Sequence, residues 1–107
     1  MITHHLAFLE VLNDFDGFYE FEPMRVFSTV PEAIGKAVED LDAFRKTDDG
    51  KDFNDYEECL NIEVGVFREK LISDGFVVVT DSSWDKRRVY RVFCASIDVN
   101  LNVNGVV

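Results

Sequence analysis

Carboxylates are the residues of this chain with the most chemical potential. Six of them, Asp48, Asp49, Asp52, Asp55, Glu57 and Glu58, fall within eleven residues and are offset only by Lys51. Calcium binding of the EF-hand kind needs oxygen ligands at alternate positions, a glycine at the sixth and an acid at the twelfth. Counted from Asp52, Asn54 suits the third position and Glu63 the twelfth, but Glu57 stands where glycine is needed and Tyr56 replaces a ligand. No calcium site is expected. General acid catalysis needs a carboxyl whose pKa burial has moved, and these six lie in a polar run. The chemistry left is electrostatic. Potentials of neighbouring charges add within a Debye length of about 8 Å at physiological salt, so the six acids read as a partner-binding surface for a protein with a basic face.

Other reactive side chains are sparse. His4 and His5 are adjacent, with no cysteine or third histidine nearby. Neighbouring residues of a strand point to opposite faces, so the pair reads as solvent-facing rather than metal-binding. Cys59 and Cys94 each lie in an apolar setting, far apart in sequence. Two buried free thiols in a reducing compartment are expected. The chain contains no G-x-S-x-G, no phosphate-binding glycine loop, and no serine or cysteine with a placed base. It is read as non-enzymatic, with no cofactor and no metal.

Charge narrows the partners. The 107 residues carry a net charge of −10, which repels nucleic acid and anionic membranes. The imbalance sits at one end: residues 1–65 hold sixteen acids against five bases, residues 66–107 five against six. The N-terminal MITHHLAFLEVL has neither a basic start nor a small-residue cleavage site, and no apolar run approaches the roughly 18 residues of a spanning helix. A cytoplasmic location is expected. In size and charge the chain is similar to small acidic inhibitors that bacteriophages carry against host defence nucleases. That likeness implies a nucleic-acid mimic, whose carboxylates imitate phosphates in a basic channel.

The elements that must position these residues form one domain by size. The segment Thr3–Leu12 fits a short helix with Leu6, Leu9 and Leu12 on one side, or a strand; the helix is the reading taken. Asn13–Gly17 reads as a turn. Residues 18–27 read as extended chain, placed at a sheet edge or broken in two by Pro23. Thr29 and Glu32 form a capping box for a helix over Pro31–Lys46, with Ile34, Ala37, Val38, Leu41 and Phe44 on one face and Glu39, Asp40 and Asp42 turned away. A second helical region covers about Asn54–Ser73, with a break near Asn61–Ile62 and a stop at Asp74-Gly75. Residues 76–80 read as a buried strand, Asp81–Arg88 as a loop and 89–104 as a strand. From Ala95 its apolar residues face the core, and Ser96 and its alternates face water. The fold class is α+β: a small antiparallel sheet of about four strands, with two or three helices on one face.

Residues 54–93 resemble the second half of a winged helix-turn-helix. Tyr56–Leu60 matches the second helix, Glu63–Leu71 the recognition helix, Asp74-Gly75-Phe76 the opening of the wing and Lys86-Arg87-Arg88 its tip. The resemblance implies a recognition helix in the major groove and a basic wing on the backbone. A DNA-binding transcriptional regulator is therefore the alternative function. Glu57, Glu58, Glu63 and Glu69 stand on the would-be DNA face against Arg68 and Lys70.

Overall fold

The structure is a computed structural model and describes residues 2–53, 55–56, 63–83 and 85–99. Its scaffold is a pair of long antiparallel strands, β1 (Ile2–Phe15) and β6 (Lys86–Val99), in register from Ile2↔Val99 to Phe15↔Lys86. Each strand has 14 residues, about 48 Å of extended chain. That ladder sets the long dimension of a molecule measuring 55 × 28 × 21 Å. β1 replaces the helix expected over Thr3–Leu12. Apolar residues occupy nearly every position from Leu6 to Leu12, so the helical stripe Leu6, Leu9, Leu12 is also present in a strand pattern. Pairing with β6 decides between them.

Asp16 and Gly17 close the first hairpin, both with positive φ, 57° and 87°. That is the two-residue primed turn whose twist suits strands. The expected turn at Asn13–Gly17 is thus shorter, and Asn13–Phe15 stay in the ladder. β2 (Phe18–Phe21) and β3 (Arg25–Phe27) pair successive stretches of the same edge of β1, with Pro23 at the break between them. β5 (Phe76–Thr80) pairs β6 on its other side. A two-residue β4 (Asp55–Tyr56) closes the sheet against β5. The order is β2-β1-β6-β5-β4, with β3 also on β1. Among the described residues the sheet is antiparallel throughout and has six strands, where about four were expected.

Two helices cover one face. α1 (Val30–Arg45) starts at Thr29, whose hydroxyl oxygen accepts from the Glu32 N–H; the same hydroxyl donates to the Glu32 carboxylate. Its stripe Ala33, Ile34, Ala37 and Leu41 is buried. α2 (Val64–Asp74) buries Phe67 and Leu71 and ends at Gly75, in left-handed conformation at φ 81°. α2 supplies the part of the expected helical region that follows the break, whereas Asp55 and Tyr56, expected in its first part, are strand: a β-favouring aromatic at the free edge of β5 gains ladder bonds there. Residues 57–62, with the expected break at Asn61–Ile62, lie outside the described residues. The strand expected to start at 89 begins at Lys86, because the loop before it is pinned by Asp81, which accepts from the Asp85 and Lys86 N–H groups.

The core lies between helices and sheet, from Ala7, Leu9 and Val11 of β1 through Tyr90 and Val92 to Val77 and Val79 of β5. Leu41 is 1% exposed within it. Leu41→Ala is expected to cost about 2–5 kcal/mol, the transfer and cavity loss of a buried leucine. Denaturant unfolding checks this; a loss under about 0.5 kcal/mol would contradict the burial of that stripe.

Candidate interaction surfaces

The acidic turn is built from the end of α1. The Thr47 hydroxyl donates to the Phe44 carbonyl at 2.6 Å and accepts from the Gly50 N–H at 3.0 Å. The Thr47 carbonyl accepts from the N–H groups of Gly50 and Lys51. Phe53 then drops into the core at 1% exposure, with its ring against Phe15 and Phe44. Its carbonyl accepts from Arg45 Nε at 2.8 Å. Between these anchors Asp48, Asp49 and Asp52 are exposed. Asp52 accepts from the Ser82 hydroxyl at 2.8 Å, which ties the turn to the loop before β6. Glu32, Glu39 and Asp42 stand exposed along α1, the last two paired with Lys36 and Lys46 at 3.2 and 3.1 Å. Of the other three expected site residues, Asp55 belongs to β4, opposite Thr80. Glu57 and Glu58 lie outside the described residues.

Asp40 is not turned away as expected. It stands three residues after Ala37 and four before Phe44, so it flanks the apolar stripe and meets an arginine from the sheet. Arg88, expected at an exposed wing tip, is 4% exposed. The register Asn13↔Arg88 puts it on the helix-covered face. Its Nε donates to the Tyr90 hydroxyl at 2.8 Å, Nη1 to Asn13 and Glu22, and Nη2 to Asp40 at 2.7 Å. Its guanidinium lies 4.1 Å from the centre of the Phe44 ring. Asp40 also accepts from Tyr90 at 2.7 Å and from Arg25 at 2.8 Å. Burial alone would raise the Asp40 pKa, but the bonds from Tyr90, Arg88 and Arg25 outweigh it and hold the carboxyl below its ordinary value. Burial and the neighbouring negative charge push the Tyr90 phenol well above its usual range. A carboxylate held charged and a phenol held protonated do not exchange protons near neutrality. The cluster is a clamp joining α1, the chain before β3, and β6. The sequence signal for it was Asp40 at the border of the stripe; nothing local marked Arg88 as inward-facing.

Among the described residues no helix lies on the sheet's other face. Glu10↔Arg91 and Phe8↔Phe93 lie opposite each other there, the two phenylalanine rings stacked at 5.3 Å. β2, β3 and β5 add Phe21, Val26 and Phe76, 61%, 54% and 52% exposed. Ala95 belongs to this open face, opposite Leu6, while Ser96 lies on the helix side. Ser96 is exposed and Ala95 half-buried as expected, but Ala95 points away from the helix-covered core, because the inward register is set by Tyr90 and Val92. Cys94 is exposed and unbridged rather than buried: β1 pairs it at Ala7, but β5 pairs β6 only as far as Arg91, so its other side has no strand among the described residues. Cys59 lies outside the described residues. His5 is exposed, 2.9 Å from the Ser96 hydroxyl.

Among the described residues no group of three or more His, Cys, Asp or Glu side chains is placed to hold a metal ion. Among them, too, no helix is long and apolar enough to cross a membrane. No family model, curated protein or solved structure matches the chain.

Proposed function

We propose that this chain acts by binding rather than catalysis, presenting an acidic surface to the basic, nucleic-acid-binding face of a partner protein. One observation carries the reading: Asp48, Asp49 and Asp52 are exposed on a turn whose backbone is fixed by Thr47 and anchored by the buried Phe53. Charge that serves only solubility works equally well when dispersed on mobile side chains. Carboxylates held in fixed relation suit the sharper version, a mimic of phosphates that displaces nucleic acid from its channel.

The test neutralises Asp48, Asp49, Asp52 and Asp55 together as asparagine. The partner is captured from the source cells, identified, purified and titrated with both forms. The quadruple variant is expected to bind about 10–100-fold more weakly at low salt, with the gap closing at high salt. The wild type should also displace nucleic acid from that partner. Equal affinities for a still-folded variant would remove the acidic turn as the binding surface. Binding of the wild type to duplex DNA itself would favour the winged-helix alternative.

A further inference from the structure

We propose that the open face of the sheet is a homodimer interface, on which a second copy of this chain packs face to face. The first ground is composition. A sheet exposed on one side ordinarily alternates apolar and polar residues. Here both files of β1 are apolar: Ala7, Leu9 and Val11 enter the core, while Leu6, Phe8 and Leu12 turn to the open side. Intramolecular packing buries the first file fully and the second only in part.

The second ground is charge, and it selects a second copy as occupant. Two copies of a chain at −10 repel, so they can meet only where the surplus is missing. On β1 and β6 the open face is such a place. Its charged residues there come in opposed pairs, Glu10 with Arg91 at 3.8 Å and the buried Asp14 with Arg87 at 3.0 Å, while Asp55 stands at its margin, opposite Thr80 on β5. An isologous interface needs one patch that complements itself, and a face bearing both signs in near balance does so. A basic partner gains nothing from a neutral face. Face-to-face packing puts the two sheets about 10 Å apart and leaves α1 with Asp48, Asp49 and Asp52 on the outside of each copy. The like charges of the two copies are then separated by far more than the Debye length of about 8 Å.

The third ground is area. From Leu6 to Asp14 the face runs about 27 Å; it is three strands or about 14 Å wide, and four strands or about 19 Å wide over Glu10–Asp14, where β5 joins. That is about 450 Å² in projection, and side-chain relief brings the accessible area toward the roughly 800 Å² per partner of a stable interface. Phe21, Val26 and Phe76, each more than half exposed, stand at its margins.

Light scattering and sedimentation of the whole chain across micromolar to millimolar concentration test the proposal. The wild type is expected to show a monomer–dimer equilibrium that tightens from very low salt, where the Debye length is about 30 Å, to physiological salt and changes little above it. Binding through the acidic turn instead weakens across the whole range, so the two readings fail separately. The double variant Val26→Glu and Phe76→Glu is expected to be monomeric throughout, with its fold confirmed by circular dichroism. The single variant Phe21→Glu, at the far end of the face, gives an independent check with the same expected loss. A wild type monomeric at every concentration overturns the proposal, as does a dimer that survives both folded variants.

Discussion

Asp40→Ala is expected to destabilise the protein by about 3–5 kcal/mol, the cost of leaving a buried charge without its partner. Asp40 is the hub of the clamp: Arg88, Tyr90 and Arg25 all donate to its two oxygens. Truncation leaves the Arg88 guanidinium buried with Glu22 as its remaining anionic partner, and the Tyr90 hydroxyl loses its acceptor. Tyr90→Phe is milder, about 1–3 kcal/mol, because it removes a neutral hydroxyl, which donates to Asp40 and accepts from Arg88 Nε, and leaves those two charges paired with each other. The contribution of Asp40 also has a pH signature. Its pKa is lower in the folded state than the ordinary carboxylate value, about 3.9 for an unfolded aspartate. The stabilisation is therefore present above that value and is lost as pH falls through the folded pKa. Wild type and Asp40→Ala should differ fully from pH 7 to about pH 5 and converge below about pH 4. Denaturant unfolding across this range measures it. A difference under about 1 kcal/mol at pH 7 would show that the clamp is an exposed ion pair in effect.

What the sequence disclosed and what it concealed follow one division. Local chemistry was legible. Thr29 and Glu32 announced the start of α1, Asp16-Gly17 fell within the first turn, and Gly75 stopped α2. Leu41 and Phe67 pointed inward as their spacing required. Long-range pairing was not legible. Whether Thr3–Leu12 is helix or strand is settled by β6, more than 70 residues away. The facing of Arg88, Ala95 and Ser96 follows from that register and from where the helices dock. A one-residue change of register inverts every facing in a strand, so no reading of β6 alone could place its arginine. Asp40 was misplaced for the same reason: a carboxylate beside an apolar stripe looks solvated until a buried guanidinium is known to meet it. Of the acidic site, the exposure of Asp48, Asp49 and Asp52 was legible from their polar run. The rigidity of the turn was not, because it depends on Phe53 reaching Phe15 and Phe44.

Gly50→Ala should be among the most damaging single changes in the chain, costing at least about 3 kcal/mol, the top of the usual range for overpacking. Gly50 is buried at the centre of the acidic turn. A methyl group there would stand 1.9 Å from the Phe44 carbonyl oxygen and 2.6 Å from its carbonyl carbon. The obstacle is the backbone of α1's last turn, which cannot swing aside as a side chain can. Yielding would break the Thr47 bonds to Phe44 and Gly50 or pull Phe53 from the core. Gly35 is the internal control. It lies within α1, and a methyl group there meets nothing within 4 Å. Gly35→Ala should therefore stabilise by about 0.5–1 kcal/mol, the helix-propensity gain of alanine over glycine. The same substitution thus carries opposite signs at two sites fifteen residues apart, read by one denaturant titration of each variant. If Gly50→Ala were neutral, the close packing of the turn on α1 would be wrong, and with it the fixed spacing of Asp48, Asp49 and Asp52. If it destabilises as expected while the protein still folds at low temperature, partner binding gives the final step. A turn forced off Phe44 should bind more weakly than the wild type with every carboxylate still present, separating the arrangement of the charges from their number.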